Sequence, residues 1–194
     1  MKAIVIGFPK SGTTTIHNAA RRSGLRSAHQ KIDGGANCGK LIYRRYLNRE
    51  DPLADFGAFD VISQMDICRK GSNFWPNLDI PLLLTIRRYH PNCVYILNVR
   101  EPSAIVSSIT RWGSLRERIT EAAVPGLPRH FGKEDNHLIQ WIESHYAACR
   151  AVFGDDSNFL ELDITDPDAP LKLGKALGVE IKWWGIANQN KKAA

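Results

Sequence analysis

Short apolar runs alternate with segments whose apolar residues recur every three or four positions, and glycine and proline separate them. The run Ala3-Ile4-Val5-Ile6 has no polar member and predicts a strand buried on both faces. A helix is expected from about Thr13 to Arg22, with Ile16, Ala19 and Ala20 inward and Gly24 ending it. Leu25 to His29 reads as a second strand, Gly39 to Arg49 as a second helix, and Phe59 to Gln64 as a third strand ending in Met65-Asp66. Arg69 to Asn77 is expected as a mobile loop. Asp79 caps a helix with Pro81 in its first turn, and Pro91 stops it. Cys93 to Val99 is a strong buried strand. Pro102 starts a helix with Ile105, Ile109 and Trp112 as its core stripe, and Gly113 to Gly132 is expected to be irregular. A long helix spans Asp135 to Phe153, with Leu138, Ile142, Tyr146, Cys149 and Phe153 inward. Phe159 to Leu162 is the last strand, and Asp166-Pro167 begins a final helix that ends at Gly178.

Strands alternating with helices imply an α/β fold: one domain over residues 1–194, three α/β/α layers, and a central, mostly parallel sheet. Ligands of such sheets bind beyond the carboxyl ends of the strands. That edge should collect Lys10, His29 or Asp33, Asp66 and Arg100, from four parts of the chain.

The first strand runs into Gly7-Phe8-Pro9-Lys10-Ser11-Gly12-Thr13-Thr14-Thr15. A glycine-bearing loop between strand and helix aims successive amides one way, the helix start adds partial positive charge, and Lys10 adds a full one. Such a nest binds a phosphate- or sulfate-like anion, whereas an ordinary glycine turn needs no lysine or hydroxyl run. The spacing resembles the phosphate loop of P-loop NTPases, with one departure. That motif has lysine directly after the second glycine, where this chain has Thr13. Further on, Arg100 follows a buried strand and Ser108 lies two turns into the next helix. A guanidinium there can fork onto a phosphate. Two anion sites at one sheet edge fit a nucleotide with phosphates at both ends of its ribose.

With 43% hydrophobic and 24% charged residues, the composition is that of an ordinary soluble protein, and no apolar run reaches membrane-span length. The first residues hold one lysine and a short apolar strand, and no secretory signal is expected. Cys38, Cys68, Cys93 and Cys149 lie far apart and suggest reduced thiols in a cytoplasmic protein. The net charge of +6 suits a polyanionic ligand. Its basic residues are scattered, which favours an anionic small molecule over nucleic acid. His145 and Cys149 share a helical face, but two candidate ligands do not make a metal site, and none is expected.

At these residues the chain resembles the sulfotransferase family, with compact bacterial members nearest in character. Pro9-Lys10-Ser11-Gly12-Thr13-Thr14, with Thr15 following, is similar to that family's loop for a 5′-phosphosulfate. Arg100 with Ser108 is similar to its 3′-phosphate motif, and Tyr89 to Cys93 to the approach to it. Leu160-Glu161-Leu162, the last helix, Trp183-Trp184 and Asn188 resemble its ending, while the glycine-rich C-terminal motif of cytosolic members is not evident. The resemblance implies transfer of a sulfuryl group from 3′-phosphoadenosine 5′-phosphosulfate (PAPS) to a hydroxyl or amine, with no metal. Lys10 and the loop amides would stabilise the leaving phosphate. The family's base is a histidine or carboxylate, and the order of candidates here is Asp33, His29, Asp66. The acceptor, a small molecule, glycan or lipid, is expected to meet residues 33–58, 69–77 and 112–133. Two alternatives remain: a nucleotide kinase or other NTP-binding enzyme, and a noncatalytic protein binding anions or nucleic acid.

Overall fold

A computed structural model describes residues 1–187; Asn188 lies outside them. Along the chain come β1 (Ala3–Val5), α1 (Thr13–Arg22), β2 (Ser27–His29), α2 (Cys38–Leu47), β3 (Val61–Gln64), β4 (Ile67–Arg69), β5 (Ser72–Phe74), α3 (Ile80–Tyr89), β6 (Val94–Val99), α4 (Pro102–Thr110), α5 (Leu115–Glu121), α6 (Asp135–Phe153), β7 (Phe159–Asp163) and α7 (Ala169–Leu177). Five strands form one parallel sheet in the order β2-β3-β1-β6-β7. β1 is central: Ile4 stands opposite Ile62 on one side and Tyr95 on the other.

Successive strand residues point to opposite faces, and the buried residues divide accordingly. Ile4, Ile6, Ile62, Tyr95 and Leu97 enter a large core with residues of α2 through α6. Ala3, Val5, Val61 and Ile96 enter a smaller one with Ile16, Ala19 and Ala20 of α1 and Leu173 and Leu177 of α7. The domain is therefore an α/β fold of three layers. The chain leaves β1 toward β2 on one side and later returns to β6 on the other, so the order switches between β1 and β6. The crevice beyond their carboxyl ends is where an open sheet binds ligands. Among the described residues no helix is long and apolar enough to cross a membrane.

The expected helices at 13–22 and 135–153 match the structure residue for residue, and Asp79 caps α3 by accepting from the Leu82 amide at 3.1 Å. Three expectations are corrected. Residues 69–77 are not a plain loop, because β4 and β5 pair antiparallel across Lys70-Gly71, with Gly71 at φ 76°. The span 113–132 contains α5, whose Leu115 and Ile119 are buried. Trp112 is not core: α4 ends at Thr110, Arg111 caps it, and Trp112 is 40% exposed.

Candidate functional site

Between β1 and α1 the backbone of residues 6–12 is held almost entirely by its carbonyls. His145 Nε2 donates to Ile6 O at 2.7 Å, and Asn77 Nδ2 to Gly7 O at 2.9 Å. Asn98 Nδ2 donates to Ser11 O at 3.0 Å, and Arg100 Nη1 to Lys10 O at 2.9 Å. Asn98 also accepts from the Gly7 amide through Oδ1 at 3.0 Å. A Cβ on Gly7 would stand 2.2 Å from that oxygen, which explains the glycine. Gly12 sits at φ 90° just before α1, and a Cβ there would strike Ile164 at 2.6 Å. Lys10 also has a positive φ, 69°. A lysine held in the left-handed region stores backbone strain, which marks functional sites. The first amides of α1 have no partner within the helix.

This loop borders a cavity of about 1090 Å³, lined also by the ends of β3 and β6, by α4 and α5, and by the stretch 184–187. Pro9, Lys10, Gly12, Thr13, Thr14, Thr15, Arg100 and Ser108 all line it. So do His29 and Asp66. The Lys10 ammonium rests over the Trp112 ring, 3.3 Å from its centroid. Burial, and secondarily the Arg100 charge, pulls the Lys10 pKa down to about 8. Ser108 is buried on α4, facing the same space as Arg100.

Asp66 is buried at the end of β3. Thr13 Oγ1 donates to Gln64 Oε1 at 3.1 Å, and Gln64 Nε2 donates to Asp66 Oδ2 at 3.0 Å. The start of α1 is thus joined to the carboxylate by one amide. Burial pushes the Asp66 pKa up to about 6, against the opposing hydrogen bond from Gln64. His29 is set differently. Ser63 Oγ donates to Ala28 O at 2.9 Å, so at 3.1 Å His29 Nδ1 must donate to Ser63, which leaves Nε2 as an acceptor. Burial, then the neighbouring His17 whose ring centroid is 5.0 Å away, lowers the His29 pKa to about 4.

Not every expected site residue meets this cavity. Asp33, first in the order of candidate bases, lines a separate depression of about 610 Å³ with His17 and Arg21. Its side chain is 84% exposed and ion-paired to Arg26 at 3.0 Å. Among the described residues only His29 borders both spaces. Ser11 is fully buried: its hydroxyl donates to Phe8 O and accepts from Asn98, so it props the loop instead of facing a ligand. The Thr15 hydroxyl donates to Gly185 O at 2.9 Å.

Several residues here escaped the sequence reading. Asn98 and Gln64 were visible as polar residues ending apolar strands, where burial demands partners. Arg69, Arg111 and Arg118 line the cavity as well, and nothing local in the sequence singles them out. Compared with models of known protein families the chain matches none, and no curated protein matches it. Chemically, the arrangement offers one end built for anions, with Lys10, the α1 start, Arg100 and Ser108. A carboxylate of raised pKa stands beside it.

Proposed function

We propose that this chain is a sulfotransferase that moves a sulfuryl group from PAPS to a hydroxyl or amine acceptor. The observation that carries the reading is that Lys10, the start of α1, Arg100 and Ser108 line one cavity. They come from both sides of the β1–β6 switch, as two grips on one doubly anionic nucleotide require. The residues fit such a donor. The loop's carbonyls are tied back, and the cavity is large enough for a nucleotide with room beside it.

The bound donor supplies an activated sulfuryl group: its S–O bond to the 5′-phosphate breaks as the acceptor oxygen bonds sulfur, and the phosphate oxygen keeps the electron pair. Lys10 and the first amides of α1 would stabilise the charge that grows there. Arg100 and Ser108 hold the 3′-phosphate and so select the donor. Asp66 accepts the acceptor's proton, replacing Asp33, which lines the other depression. A carboxylate with a pKa near 6 is ionised at neutral pH and a better base than an ordinary one. His29, with its pKa near 4, is the weaker candidate. The four buried free thiols accord with a reducing, cytoplasmic setting.

The test is the melting temperature with adenosine 3′,5′-bisphosphate, with ADP, and with magnesium-ATP. A sulfotransferase should show a large rise with the bisphosphate and a small one with ADP. An equal response to ADP, or a larger one to magnesium-ATP, would overturn it in favour of an NTP-using enzyme.

A further inference from the structure

Several arginines on the outer surface are paired with carboxylates: Arg26 with Asp33, Arg44 and Arg45 with Asp55, Arg116 with Asp135, Arg150 with Glu161. The cavity collects several that are not so paired. Arg69, Arg111 and Arg118 line it together with Lys10 and Arg100, and among the described residues none of the three has a carboxylate within ion-pair distance. Its two carboxylates do not answer the excess. Asp166 is paired with Lys172, and Asp66 is held by Gln64.

Arg118 is the most telling of the three. Its Nη1 donates to Ser114 Oγ at 2.9 Å, but its Nε is buried with no acceptor. A buried guanidinium N–H left unmade is costly, and an anion held by the same guanidinium offsets that cost through its charge. The position of Arg118 is also informative. It lies on α5, which packs against β4, the strand that begins directly after Asp66, whereas Arg100 is bonded to Lys10. Arg118 thus belongs to the Asp66 end of the cavity, away from the grips assigned to the donor. Ile67, Trp75 and Leu115 supply apolar wall there.

We infer that the acceptor is an anionic hydroxy compound whose charged group binds the Arg118 guanidinium while its apolar body lies against Trp75 and Leu115. Carboxylate, sulfonate and phosphate groups share the required chemistry. The inference rests on the sulfotransferase reading for the word acceptor, though the anion site itself does not. With the acceptor's charge on Arg118, its hydroxyl lies toward Asp66, which takes the proton.

The experiment uses the whole protein saturated with adenosine 3′,5′-bisphosphate, so that the donor's anion sites are filled. Calorimetry then measures binding of 4-hydroxyphenylacetate, 4-hydroxybenzenesulfonate and the neutral 4-hydroxyphenylacetamide. At least one anion should bind about tenfold tighter than the amide, the worth of one charged hydrogen bond. The better anion identifies the group. Arg118→Gln should abolish the preference and Arg118→Lys should retain part of it, while bisphosphate affinity stays within about twofold. An amide as tight as both anions, no binding of either anion, or a preference surviving in Arg118→Gln overturns the proposal. Failure of the wild-type protein to bind the bisphosphate sinks the sulfotransferase reading instead. The same anion-to-amide comparison on the unliganded protein then decides the anion site alone.

Discussion

Arg100 Nη1 donates to the carbonyl oxygen of Lys10 at 2.9 Å, so the guanidinium that ends β6 also fixes the lysine of the β1 loop. Two cations from distant parts of the sequence are thereby held side by side. Without an anion between them they repel, which is part of why the Lys10 pKa is lowered. An anionic ligand converts that repulsion into attraction. We predict that Arg100→Ala weakens adenosine 3′,5′-bisphosphate by about 30-fold or more, the usual cost of truncating one partner of a buried charge pair. Arg100→Lys should recover part of it, because a lysine keeps the charge but loses the fork. ADP binding should change much less. Equal losses for both nucleotides, measured by calorimetry, would mean that Arg100 serves only the loop.

We predict that Lys10 sets a pH limit on donor binding. Its pKa is about 8 in the free protein, and a bound anion holds it protonated. Affinity is therefore constant from pH 7 to about 8 and falls above, by at most about tenfold per pH unit for one proton. Lys10→Met should bind more weakly at pH 7 and lose this slope. A wild-type affinity unchanged between pH 7 and 10 would show that Lys10 does not face the anion.

Asp66 predicts a trade between stability and activity. Its pKa rises from the ordinary 3.8 to about 6 on folding. Between those values the folded state holds a proton that the unfolded state has released, so stability falls as pH rises through the window and stays lower above it. Asp66→Asn removes the buried charge and should stabilise the protein at pH 7.5 by up to about 3 kcal/mol. The gain should vanish below about pH 4. The same variant should lose sulfuryl transfer while still binding the bisphosphate. Denaturant titration at the two pH values, with a transfer assay, checks all three outcomes. A destabilised variant at pH 7.5 would contradict the burial argument.

Gly7 tests the loop's construction without touching a ligand. Its missing side chain makes room for Asn98, whose Oδ1 accepts the Gly7 amide. Gly7→Ala should cost roughly 2–3 kcal/mol through overpacking against backbone and a pinned amide. Gly57→Ala is the control: no heavy atom lies within 4 Å of its would-be Cβ and its φ is −58°, so the change should be neutral or slightly stabilising. Similar losses for both would indicate a general intolerance of side chains and not a specific fit at Gly7.

Much of the fold was legible because its signals are local. Asp79 with Pro81, the glycine after residue 177, and the unbroken apolar run before Asn98 each act within a few residues. The glycine-bearing loop between β1 and α1 was legible for the same reason. What failed depended on where the chain turns. The seven-residue spacing of Ile105 and Trp112 suggests one stripe, but α4 stops two residues short, and the tryptophan swings out over Lys10. Asp33 follows β2 at a plausible distance, yet Gln30 at φ 59° turns the chain and carries it away to Arg26. Asp66, ranked last by sequence, gains its place from burial and Gln64, neither of which spacing reveals. Arg118 was invisible because seven residues with charges at Arg116, Glu117 and Arg118 look like surface until packing sets their depth.

The proposed chemistry requires one molecule to be gripped at two places. A crystal structure of the protein with adenosine 3′,5′-bisphosphate tests this most directly. It should show the 5′-phosphate against Lys10 and the first amides of α1, and the 3′-phosphate against Arg100 and Ser108, with Asp66 facing the open space beyond. A bound nucleotide that touches only one of the two grips, or lies in the depression beside Asp33, would contradict it.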